Sequence, residues 1–126
     1  MSSVMIGAPD IIIDDGSHLN EHVIESFRLL FPSLAPGGLY VVEDTQTSYL
    51  ESKGGSSREL DSVETSMGLL KRMVDSLNYQ EIEGRSNQGQ PEDGHITAMH
   101  FYHSLVIIEK GLNDEPASNQ FLEDKC

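Results

Sequence analysis

Two short stretches carry the residues that could do chemistry. "DIIIDDGSH", residues 10–18, ends an isoleucine run in Asp14 and Asp15 and reaches His18 three residues later. "GLYVVED", residues 38–44, runs through Leu39, Tyr40, Val41 and Val42 and stops at Glu43 and Asp44. Carboxylates drawn together repel one another unless a cation joins them. Oxygen donors alone favour a hard ion such as Mg²⁺, Mn²⁺ or Ca²⁺. A neutral imidazole next to that ion can take a proton from a hydroxyl held by the metal. A single acidic pair at a strand end reads as a solvated cap. Two pairs on consecutive strands, with a histidine beside one, read as a site.

Such residues need rigid elements behind them. Residues 10–15 form an apolar run without alternation, which predicts a strand covered on both faces, as in a parallel sheet. Leu19, Val23, Phe27, Leu30, Phe31 and Leu34 recur at helical spacing and predict a helix over 19–35. Pro32 is expected to kink or shorten its last turn, and Pro36-Gly37-Gly38 to stop it. Residues 39–44 make a second buried strand, so 10–44 is a βαβ unit with a right-handed crossover. In an open parallel sheet ligands bind beyond the carboxyl ends of the strands. If the two strands are neighbours, Asp14 or Asp15 and Glu43 or Asp44 converge on one crevice.

The rest of the chain supports that unit. Residues 45–60, with Gly54-Gly55-Ser56-Ser57, read as a mobile loop above the crevice. Residues 61–78 predict a second helix whose inner stripe is Val63, Met67, Leu70, Met73, Val74 and Leu77. The segment 84–94 is polar and turn-rich. Residues 95–111 hold two β-rich runs split at His103-Ser104, a hairpin signal. His95, His100 and His103 fall in or near that hairpin and read as sheet residues.

The 126 residues are expected to form a single domain, 1–126, with a modest core. A formal net charge of −13 argues against a nucleic-acid or anionic-membrane partner held by a basic surface. No run is long enough to span a bilayer and none reads as a signal peptide. The only cysteine is Cys126, so a disulfide framework is excluded and a cytoplasmic location is expected.

"HLNEH", residues 18–22, also fits the H-x-x-E-H pattern of inverted zinc peptidases, with His18 and His22 on zinc and Glu21 as base. That pattern needs both histidines well inside a helix. His18 follows the turn Asp15-Gly16-Ser17 and falls at the helix start. A zinc hydrolase is therefore the lesser alternative.

"IIIDDGSHLNEHVIESFRLLFPSLAPGGLYVVEDTQTSY", followed by "MHFYHSLVIIEKG", resembles the metal-dependent sugar O-methyltransferases of macrolide biosynthesis, of the mycinamicin type. Rhamnosyl O-methyltransferases and a cephalosporin hydroxylase-like group are their relatives. The resemblance is dense over 10–50 and looser over 99–111. It implies an α/β fold: a partial Rossmann-like class I methyltransferase sheet, equivalent to strands 4 to 7, with flanking helices and a C-terminal hairpin. It implies S-adenosylmethionine and Mg²⁺ as cofactors and a small-molecule glycoside as substrate. By the same resemblance Asp15, Glu43 and Asp44 hold the metal, His18 is the general base, and Asp14 and Gly16 lie on the cofactor side.

In the resembled fold a glycine-rich loop after the first strand cradles the cofactor, and nothing before residue 10 matches it. The sequence is thus expected to correspond to the C-terminal portion of such a domain. A non-catalytic remnant that binds a metal or a partner is the other reading. The strand at 10–15 would then be an edge, which predicts self-association into a homo-oligomer or N-terminal residues folded across it.

Overall fold

A computed structural model describes residues 8–85 and 89–118. Six regular elements follow in order: β1 (Ile11–Asp14), α1 (Asn20–Leu30), β2 (Leu39–Glu43), α2 (Ser66–Leu77), β3 (Ile96–Tyr102) and β4 (Leu105–Lys110). The strands form one sheet in the order β1-β2-β4-β3. β1 and β2 are parallel, in a register that sets Ile12 beside Tyr40 and Asp14 beside Val42. β4 runs antiparallel to both its neighbours, β2 and β3. The predicted hairpin is therefore present, and its second strand is the one inserted next to β2. No helix among the described residues is long and apolar enough to cross a membrane.

Both helices contribute to one apolar core. Val23, Phe27 and Phe31 from the first helical segment and Leu69, Leu70 and Met73 from α2 pack with Tyr40, Val42, Val106 and Ile108 of the sheet. Phe27 lies edge-on to Tyr40, with ring centroids 5.1 Å apart. The sheet alternates accordingly: Tyr40, Val42, Val106 and Ile108 are buried, and the residues between them are half-buried.

β1 departs from the expectation of cover on both faces. Ile11 and Ile13 are 57% and 60% exposed, and only Ile12 and Asp14 turn toward the covered side. An unbroken apolar run needs a layer on each face, and the described helices supply one.

The first helix ends where Pro32 directs. A 3₁₀ turn, Phe31–Ser33, carries proline near its start. The amino group of Lys110 then donates to the carbonyls of Phe31, Pro32 and Leu34 at 2.8–3.0 Å. Carbonyls at a helix end lack intrahelical partners and carry partial negative charge, so a cation there satisfies both demands. Gly38 is required by space: a Cβ would stand 2.7 Å from the Asp10 carbonyl oxygen.

The segment 45–60 is not the loose loop expected. Two 3₁₀ turns, Thr45–Tyr49 and Glu51–Lys53, fill much of it, and Thr45, Thr47 and Ser48 are buried. Asn20, fully buried, pins it. Its amide donates to the carbonyls of Thr47 and Lys53, both at 2.9 Å, and its oxygen accepts from Ser66 N–H at 2.8 Å. One side chain thus ties α1, the two turns and α2 together.

α2 also starts later than expected, at Ser66, capped by Thr65, whose hydroxyl accepts from the Gly68 N–H. Val63 and Val74, placed on the inner stripe by spacing, are 48% and 41% exposed. Leu70 and Met73 are buried as expected, and Leu69 and the small residues Ser66, Gly68 and Ser76 complete the inner face. Gly68 must be small, since a Cβ there would fall 1.7 Å from the Ser62 carbonyl oxygen.

Candidate active site

The parallel pairing of β1 with β2 brings both acidic strand ends to the same end of the sheet. Beyond Asp14 the chain bends through Asp15, Gly16 and Ser17. His18 then takes a left-handed backbone, φ 65°, before α1 begins at Asn20. Beyond Glu43, Asp44 does the same, with φ 56°. Left-handed geometry is uncommon outside glycine, and histidine and aspartate are among the residues that tolerate it. It costs of order 1–3 kcal/mol per residue and clusters at functional sites. The third such residue, Ser104, lies at the hairpin turn, and its carbonyl accepts from Thr45 N–H at 3.2 Å. All three left-handed non-glycine residues of the described chain therefore lie at this end.

The two bends aim their side chains at one another. Asp15, His18 and Asp44 each offer one ligand atom, and these atoms lie within 4.8 Å of one another. His18 Nδ1 is 3.4 Å from Asp44 Oδ2, and both side chains remain partly open to solvent. The Gln46 side-chain amide donates to the other oxygen of Asp44 at 3.4 Å. Two carboxylates and an imidazole this close suit a divalent cation, whose ligands stand 2.0–2.6 Å from it. An imidazole against a carboxylate is also held in orientation for proton transfer.

The other acids go elsewhere. Asp14 turns to the covered face. One of its oxygens accepts from Gly16 N–H at 3.3 Å, and the other is buried without a partner among the described residues. Burial raises its carboxyl above the usual carboxylate range, against the opposing pull of the Gly16 N–H and His18. Glu43, last in β2, alternates with Val42 and falls on the opposite face of the sheet; it is not one of the gathered three.

The zinc pattern is not assembled. His18 precedes the helix, and His22 Nδ1 lies 2.7 Å from Ser17 Oγ. His100 pairs with Glu109 across the hairpin at 2.6 Å, in keeping with a sheet residue.

Two residues near the site escaped the sequence reading. Tyr40 is fully buried, and its hydroxyl has no partner among the described residues. Burial, with the charge of Asp14, pushes that hydroxyl well above its usual range. Its alternation with Val42 was the available signal, because it sets Tyr40 on the face of Asp14. Gln46 gave no signal, since it reaches Asp44 through a turn that local sequence does not announce.

No family model matches the chain. Among characterised proteins it is 51% identical over 110 residues to a demethylmacrocin O-methyltransferase from Streptomyces fradiae. It is 46% identical over 110 residues to a mycinamicin VI 2''-O-methyltransferase from Micromonospora griseorubida. Each match covers 86% of this chain and 28% of the relative, so the chain spans less than a third of those proteins. The MycE methyltransferase of the mycinamycin biosynthetic pathway, solved with Mg and SAH, superposes with a TM-score of 0.82 at 39% identity. That superposition covers 93% of this chain and 33% of the other. The four-stranded mixed sheet with its flanking helices is thus the partial class I methyltransferase sheet expected.

Proposed function

From the likeness to macrolide and sugar O-methyltransferases, we propose that this chain forms the metal- and base-bearing portion of an S-adenosylmethionine- and Mg²⁺-dependent enzyme. The reaction class is methyl transfer to a sugar hydroxyl of a natural product or glycan. The observation that carries the reading is the gathering of Asp15, His18 and Asp44 at the joint end of two parallel strands. A solved relative with the same local fold was captured with Mg and SAH.

Asp15 and Asp44 would hold the ion, and Glu43, beside Asp44, is proposed as a further oxygen ligand. When bound, such an ion would supply Lewis-acid chemistry that makes a nearby sugar hydroxyl easier to deprotonate. His18 accepts the proton from the reacting hydroxyl. Asp44, 3.4 Å from Nδ1, would hold the ring and leave Nε2 to accept that proton. When bound, S-adenosylmethionine would supply the methyl group and leave as the thioether, with the deprotonated sugar oxygen as the acceptor. Asp14 and Gly16, at the same strand end, are assigned to the cofactor side. A cytoplasmic setting accords with a sequence whose single cysteine is Cys126.

Calorimetry on this chain tests the metal site. Mg²⁺ or Mn²⁺ is expected to bind at millimolar concentration, and Asp15→Ala or Asp44→Ala to weaken binding by at least about tenfold. No heat at millimolar metal, or affinity indifferent to both changes, removes the site. An unchanged affinity in Glu43→Ala removes Glu43 alone.

Self-association through β1 is the second part of the proposal. The strand is an edge, with Ile11 and Ile13 exposed and its outer N–H and C=O groups unpaired by any described strand. An antiparallel pair of copies centred on Ile12 sets Asp10 of one opposite Asp14 of the other. Like charges in that position oppose pairing, so association should strengthen with salt. Light scattering after size exclusion is expected to give more than a monomer, increasingly so at high ionic strength. A monomer at all salt concentrations ends this part of the reading.

A further inference from the structure

At the opposite end of the sheet, where β4 ends and β2 begins, a cavity of about 380 Å³ opens beside α1. Phe27, Phe31, Pro32 and Pro91 form its apolar walls, and Glu92 lines it with Arg28, His95 and Lys110. The two phenyl rings are stacked, with centroids 4.7 Å apart. Its volume is that of a small-molecule site.

Glu92 is the informative residue. It is only 8% exposed, and its side chain makes no hydrogen bond or ion pair with any described residue. The acid next to it is placed quite differently. Asp93 takes the guanidinium of Arg85 through two contacts at 3.0 and 3.2 Å and also accepts from Gln90 N–H. Arg85 is thereby committed, and it anchors the turn that holds Glu92 against the cavity. Neither Glu92 oxygen is among the sealed, unpartnered polar atoms of the described residues, so the carboxylate lines the cavity and stays open to what enters it.

Arg85 feels the charge of Glu92 but makes its ion-pair contact with Asp93, not with Glu92. Lys110 is spent on three carbonyls and sits 5.1 Å over the Phe31 ring. Arg28 is on the exposed side of α1, where water screens its charge. His95 is exposed. The buried wall of the cavity is therefore an aromatic surface with an acceptor left free. We propose that this cavity is a binding site for a small aromatic cation, with the ring against Phe27 and Phe31 and an ammonium donating to Glu92. Nothing in this depends on the chemistry at the other end of the sheet.

A series of indoles with different head groups tests it on this chain at physiological salt: the isosteres tryptamine and tryptophol, and the larger anion indole-3-propionate, followed by NMR at Phe27, Phe31 and His95. Tryptamine is expected to saturate these signals at millimolar concentration. Tryptophol should bind about tenfold more weakly or worse, since a charged hydrogen bond is lost, and the anion more weakly still. Glu92→Gln should erase the preference for tryptamine while leaving tryptophol binding in place. Absence of saturation by tryptamine, equal affinity for all three compounds, or a preference that survives Glu92→Gln overturns the proposal. The tryptamine-to-tryptophol ratio of the unaltered chain decides the matter even if the variant does not fold.

Discussion

Replacing His18 by alanine is expected to lower methyl transfer by about 10²- to 10⁴-fold, the range for loss of a general base. The measurement needs a chimera in which residues 10–111 replace the matching stretch of the mycinamicin VI 2''-O-methyltransferase, because this chain spans only 28% of such relatives. Divalent-metal affinity, measured on the same chimera, should change little, since Asp15 and Asp44 retain their oxygens. That second measurement gives the prediction its edge. His18 lies within 4.8 Å of both carboxylates, so it is also near enough to be a ligand. If turnover and metal affinity fall together, His18 binds the ion and the base lies elsewhere. If neither falls, it is only the residue that turns the chain into α1. Added imidazole should restore part of the lost rate if the ring served to accept a proton.

Asn20→Ala is expected to destabilise the chain by about 3–5 kcal/mol, a large part of the 5–15 kcal/mol typical of a domain. The amide makes three hydrogen bonds, to the Thr47 and Lys53 carbonyls and from the Ser66 N–H. Alanine leaves those backbone groups unpaired where water has little access. Urea denaturation checks the figure, and a loss below about 1 kcal/mol would show that solvent replaces the amide readily. Asn20→Asp makes a sharper comparison. It keeps the acceptor for Ser66 but loses both donors and sets a carboxylate against two carbonyl oxygens, so it should destabilise at least as much as alanine.

The parts of this fold written in hydrophobic periodicity were legible. The β1-α1-β2 unit and the hairpin at His103-Ser104 stand where spacing put them, while the first helix ends at Leu30, near Pro32, well before Pro36-Gly37-Gly38. Of the site, the convergence of Asp15, His18 and Asp44 was legible because acids at the ends of neighbouring parallel strands have one place to go. What escaped was written in backbone chemistry. Asn20 reads as an ordinary polar residue at a helix start, yet it holds the segment 45–60 in place through partners far along the chain. Gly68 reads as a weak point in α2 until the Ser62 carbonyl is seen to occupy the place of its side chain. The isoleucines of β1 predicted two layers, because composition states what a strand can bury and not what is there to cover it.

The strand order sets a timetable for synthesis. β2 finds its second neighbour only in β4, and Tyr40 pairs with Ile108. While the ribosome makes the intervening residues, the strand that carries Glu43 and Asp44 keeps one open edge. β3 and β4 can close on each other as soon as they emerge, since their turn is local. Pairing of that hairpin with β2 joins residues far apart in the chain. Until it docks, Ser104 is not present to accept from Thr45, and the bend that carries Asp44 lacks that support. Such long-range pairing is the slow part of folding. The bend that carries Asp44 is therefore braced by a portion of the described chain that leaves the ribosome late.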